Sequence, residues 1–160
     1  MKKLLFFYFL LIAQIAVGQV KHLNPVLKNY LEIKNELVSG NTANSKKAAV
    51  ALKEFTDAAS TKNIDTEAWK AFSQVKVKMS DHLSAFIAAK DIQQQREVFS
   101  GLSDLMIQLA KSISIGETEL YVDYCPMKKV FWLSADKTIR NPYYGNMMLS
   151  CGNIKETIKH

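Results

Sequence analysis

Apolar residues return at steps of three and four along most of the chain. Val26/Leu27, Tyr30/Leu31 and Leu37/Val38 mark a first helix that Ser39-Gly40-Asn41 should end. Ala48, Leu52, Phe55 and Ala59 mark a second, broken by residues 60–63. A third opens on Asp65, a good N-cap, and carries Ala68, Phe72, Val75, Met79, His82 and Phe86 on one stripe. A fourth starts with Asp91 and Gln94 at capping-box-like spacing. It continues through Ile92, Gln95/Arg96, Phe99, Leu102, Met106, Leu109 and Ile113. Gly101 interrupts this last stripe and should cost roughly 1 kcal/mol relative to alanine. Four amphipathic segments with short links predict an all-α protein, an up-down four-helix bundle over residues 19–116.

Breakers support that division. Proline occurs only at 25, 126 and 142, and between the first two lie just three glycines, Gly40, Gly101 and Gly116. From Glu117 the pattern changes. Leu120, Val122 and Tyr124 alternate with polar neighbours, which predicts a short extended piece. Residues 117–160 then gather both cysteines, several methionines, Trp132 and several tyrosines. This segment is too short for a domain and too apolar for a loose tail. It is expected to pack on the bundle as an extended or turn segment of the same domain.

The first residues read as an address. Lys2 and Lys3 precede an apolar run over residues 4–13, and Ala16-Val17-Gly18 places small residues before Gln19. Residues 1–18 are therefore expected to be a secretory signal peptide, and the protein periplasmic or secreted. The apolar run is about half of the ~20 residues a membrane helix needs, so no transmembrane anchor is expected after cleavage. The formal charge is +6, and the excess shrinks once Lys2 and Lys3 are gone. With no polybasic block, nucleic acid is not an expected partner.

Candidate chemistry sits in two sulfur clusters, Cys125-Pro126-Met127 and Met147-Met148-Leu149-Ser150-Cys151. Thiolate and thioether are soft donors and select Cu(I) over hard cations. Cys125, Met127, Met148 and Cys151 are the candidate metal ligands, with Met147 and His82 as secondary ones. The alternative is a Cys125–Cys151 disulfide closing about 27 residues, worth roughly 3 to 4 kcal/mol by chain entropy. Free structural thiols are the third possibility, and spacing alone leaves all three open. His82 is expected to face inward as a packed residue; His22 and His160 lie near opposite ends. Arg96 is expected to pin the tail through backbone carbonyls or a carboxylate. Residues 141–145 read as a turn with aromatic packing. Cys-x-x-Cys-His, Glu-x-x-His, Cys-x-x-Cys, a phosphate-binding glycine loop and a nucleophile elbow are all absent. No enzymatic activity is expected.

Several runs also carry a resemblance. Cys125-Pro126-Met127, Phe131-Trp132-Leu133-Ser134, Ile139-Arg140-Asn141-Pro142-Tyr143-Tyr144-Gly145, Met148 and Cys151-Gly152 resemble a family of small exported helical-bundle domains of unknown function. Asp91-Ile92, Gln95-Arg96, Phe99 and Leu102-Ser103 match its fourth-helix pattern. The likeness covers roughly residues 80–152; Lys128-Lys129-Val130 makes a shorter link than the family's usual one. Such domains occur alone or fused to the C-terminus of periplasmic adaptors of copper/silver efflux pumps. The resemblance implies a soft-metal binding role, with Cu(I) or Ag(I) bound at Cys125, Met127, Met148 and Cys151. It also implies a heavy-metal efflux adaptor or another periplasmic protein as partner.

Overall fold

The computed structural model describes residues 23–159. The expected signal peptide, His22 and His160 lie outside the described residues. Four helices follow in order: α1 (Asn24–Ser39), α2 (Thr42–Ala58), α3 (Thr66–Ala88) and α4 (Ile92–Ser112). Their ends are set at Gly40, Asp65 and Asp91, as expected from the sequence, and also at Asn41, which was expected only to help end α1. Gly40 closes α1 in the left-handed conformation at φ 80°. Asn41, Asp65 and Asp91 each accept the backbone N–H three residues on, at 3.0, 2.9 and 2.9 Å. Gln94 reaches back to the Lys90 N–H at 2.9 Å, one residue earlier than in a standard capping box.

Each helix packs on the next, and Tyr30 of α1 stacks on Phe99 of α4 with centroids 5.3 Å apart. The buried stripe of α3 is Ala68, Phe72, Val75, Met79, Leu83 and Phe86. Leu83 holds the inward position expected of His82, which is only half-buried. The imidazole lies instead against Gly101, where any Cβ would collide with it. The glycine that looked like a defect of α4 is thus the seat of a side chain from α3.

The expected all-α class is wrong. Residues 120–158 form a three-stranded antiparallel sheet, with β1 (Leu120–Cys125), β2 (Val130–Ser134) and β3 (Asn153–Ile158) in spatial order β2-β1-β3. The protein is a helix-rich mixed α/β fold. Only β1 had been signalled by alternation. β2 is five residues long, and β3 is exposed along most of its length, so neither presents the alternating pattern of a half-buried strand.

The central strand β1 is buried on both faces. Val122 pairs with Leu133 and Tyr124 with Phe131, and Val122 and Phe131 turn toward Asp104, Ile107 and Lys111 of α4. On the opposite face Asp123 pairs with Trp132 and Cys125 with Val130. There the segment between β2 and β3 folds over, and Trp132 meets the Tyr143 ring edge-on at 6.0 Å. The β2 backbone not paired with β1 is met by two tyrosines. Tyr30 Oη accepts from the Leu133 N–H at 3.0 Å, and Tyr143 Oη donates to the Phe131 carbonyl at 2.5 Å. Buried backbone groups need such partners, and these two fix β2 against the bundle.

Candidate metal centre

Cys125 ends β1 and is fully buried. The four residues that follow turn the chain into β2, with the Lys129 N–H donating to the Cys125 carbonyl at 2.8 Å. Cys151 comes just before β3, whose first residue, Asn153, pairs with Tyr124 of β1. The Cys151 N–H donates to the Met148 carbonyl at 3.1 Å, so Met148-x-x-Cys151 forms one turn. Asn141 holds that turn in place. Its N–H donates to the Leu149 carbonyl at 2.8 Å and its Nδ2 to the Cys151 carbonyl at 2.6 Å. Next to Cys151, Gly152 lies so close to the Trp132 ring and the Tyr124 carbonyl that a side chain would strike both.

These constraints bring the thiols together. Cys151 interacts with the Cys125 side chain and with the Met127 backbone, and both cysteines are free. Burial pushes the Cys151 thiol up, and the neighbouring Cys125 adds to the rise through charge and a side-chain hydrogen bond; the Met127 backbone opposes it. Two free thiols so placed are chemically able to close as a disulfide or, once deprotonated, to share a soft ion.

The other candidates divide. Met127 lies in the turn after β1 and is 63% exposed. Met148 is half-buried in the Cys151 turn. Met147 ends a 3₁₀ turn over Gly145–Met147, is exposed, and lines a cleft with Val38, Gly40 and Arg96. His82 stands on the α3–α4 seam, against Gly101. Neither Met147 nor His82 is placed at the thiol pair. Among the described residues, no three His, Cys, Asp or Glu side chains gather as a metal nest. The donor set that fits a soft ion is two thiols, with thioethers as supplements. Arg96 does bind a backbone carbonyl, though of α1 rather than the tail: Nη2 donates to Leu37 O at 2.8 Å, while the guanidinium lies against Gly145.

Sequence reasoning missed a buried polar group beside this pair. Asp123 shares the β1 face with Cys125 and is fully buried, with neither carboxylate oxygen hydrogen-bonded. Burial raises its pKa to about 7, against the pull of Lys34. Lys34 is itself buried in α1, and burial lowers its pKa while Asp136 and Asp123 hold it up. Trp132, opposite Asp123, has an unpartnered Nε1. The signal was present in one place: Lys34 lies four residues from both Tyr30 and Val38, on the apolar stripe of α1.

Among the described residues, no helix is long and apolar enough to cross a membrane. No curated protein and no solved structure matches the chain. A family model, "Protein of unknown function (DUF3347)", matches residues 26–118. That span runs from the start of α1 to just before β1, so it covers the helices and stops short of both cysteines, whereas the likeness noted in the sequence extended over the tail. It spans more than half of the 160 residues, and the chain belongs to this family.

Proposed function

We propose that the protein is an exported, non-enzymatic carrier of soft metal ions that binds Cu(I) or Ag(I) for sequestration or for hand-over to efflux components. One observation carries the reading: two cysteines separated by 25 residues of sequence are brought side by side between a strand end and a pinned turn. Cys125 and Cys151 serve as thiolate anchors, and Met127 and Met148 as weaker donors that permit release. The metal is cargo, exchanged from one sulfur set to another. A heavy-metal efflux adaptor, or another periplasmic protein, is the proposed recipient. Titrating the reduced protein with Cu(I) against a competing chelator tests the reading. Cys125→Ser and Cys151→Ser should each lose most of the affinity, and wild-type affinity in either variant overturns the assignment.

The same contact favours a second reading, a protein-interaction module whose tail is stapled by a Cys125–Cys151 disulfide. The tail's docking through Trp132, Tyr143 and Phe99 suits that role. Counting free thiols under denaturing conditions, on protein purified without reductant, separates the two. Two free thiols favour the carrier, and a fully oxidised pair favours the staple.

A further inference from the structure

The thiol pair lies beneath an exposed, basic loop. Residues 126–129 connect β1 to β2, the Met127 backbone lies near the Cys151 thiol, and the Met127 side chain reaches into solvent while Cys125 is sealed. Lys128 and Lys129 follow directly, and from Tyr124 to Ala135 the sequence contains no acidic residue. Lys155, on β3, places its ammonium 5.4 Å from the ring centre of Tyr124, the neighbour of Cys125. Lys128 lies 5.7 Å from the Tyr143 ring centre. Glu156, the next residue after Lys155, is already paired with Lys111 at 2.5 Å.

Lys129 adds an independent observation. Its φ is 60°, and it is the only non-glycine residue with positive φ among the described residues. Glycine or asparagine adopts this conformation at less cost. A lysine held there keeps a cation at the loop's last position, where the turn itself has no use for one.

A bare monovalent cation is repelled by such a loop, whereas a negatively charged carrier is drawn to it. We propose that the β1–β2 loop is the docking point for an anionic carrier of the metal, a protein presenting carboxylates around its own bound Cu(I). Lys128 and Lys129 hold those carboxylates, and the Met127 thioether is the first donor of this chain to reach the ion. The ion then passes to the thiols. As each Cys–Cu bond forms, a carrier–Cu bond breaks, the thiol proton leaves to water, and copper remains Cu(I). The proposal rests on the soft-metal reading above and specifies how the site is loaded.

The test compares the rate of Cu(I) uptake from two probes, the polyanionic bicinchoninate complex and the cationic acetonitrile complex. Wild type is set against Lys128→Glu/Lys129→Glu and against Lys129→Gly. At roughly 10 mM ionic strength, where the Debye length is about 30 Å, the double variant should load about tenfold more slowly from the anionic probe. Its loading from the acetonitrile complex should not slow, and the anionic-probe difference should vanish near 1 M salt. Lys129→Gly should raise the melting temperature yet slow anionic-probe loading, a combination that a merely structural lysine does not give. Equal anionic-probe rates in wild type and both variants, with equilibrium affinity retained, overturn the docking role alone. Wild type that takes Cu(I) from neither probe overturns the soft-metal reading as well.

Discussion

The helical bundle and the sheet-bearing tail bury their side chains by different rules. In the bundle, inward positions are filled mainly by Leu, Phe, Met and Ala, and the buried polar side chains Ser45, Gln95, Ser103 and Thr56 all have hydrogen-bond partners; the exceptions are the Arg96 Nε, on a guanidinium that lies against Gly145 of the tail, and the buried charge of Lys34. In the tail, a strand and its neighbours enclose a carboxylate without hydrogen bonds, an indole N–H without a partner and two adjacent thiols. Burying polar groups without partners costs stability, so the tail is held by something else. That something is aromatic packing of Trp132, Tyr143, Phe99 and Tyr30 across the boundary. The difference locates the chemistry: the bundle is a platform, and the chemically expensive groups lie in the part it supports or, like Lys34, interact with it.

The strongest way to break the comparison is to remove the packing between the two regions. Trp132→Ala should cost about 3–5 kcal/mol, as for a fully buried aromatic. The helices, which lie outside this contact for most of their length, should retain more of their signal than the thiols retain of their protection. Urea unfolding followed by circular dichroism, alongside thiol reactivity, checks both halves. Simultaneous loss of helix and thiol protection would show one cooperative unit instead of a platform and its load.

The next prediction concerns the buried carboxylate. The folded Asp123 keeps its proton up to about pH 7, whereas an unperturbed carboxyl releases it near 3.8. Between those values the folded chain binds more protons than the unfolded one, so the stability due to this group falls as pH rises through the window and levels off above it. Asp123→Asn should flatten that part of the profile in denaturation curves taken from pH 4 to pH 8. An unchanged slope would place the carboxylate in contact with water or a partner.

A smaller effect sharpens the account of the bundle. Helix propensity alone predicts that Gly101→Ala stabilises α4. The imidazole of His82 occupies the space that the new methyl needs, so the change should instead destabilise by about 1–3 kcal/mol. His82→Ala/Gly101→Ala should recover the loss in thermal melts. The smallest is the cap at α3, where Asp65→Ala should cost about 1 kcal/mol through loss of the 2.9 Å bond from the Ala68 N–H.

The same contrast explains what was legible in the sequence. The helices announced themselves because one face is apolar and one polar, and because Asp65, Asp91 and Gly40 punctuate them by local chemistry. His82 misled because a stripe read at steps of three and four does not distinguish position 82 from 83, and only the seat at Gly101 decides between them. The sheet was mostly hidden. Tyr121, Asp123 and Cys125 read as the outward face of β1, yet the later chain folds over them, so the alternation that revealed the strand gave no sign that its second face is buried too. Cys125, Met127, Met148 and Cys151 were named from softness and spacing. The structure brings the two cysteines together, and that gathering was not legible because it depends on Asn141, whose two tethers to residues 149 and 151 leave no periodic trace.

The most direct measurement of the central claim is a Cu(I) competition titration of the reduced protein, wild type beside Cys125→Ser and Cys151→Ser. The account predicts one tightly held Cu(I) per wild-type chain and a loss of at least about tenfold in affinity, roughly 1.4 kcal/mol, for either serine variant. Undiminished Cu(I) affinity in both variants would contradict it.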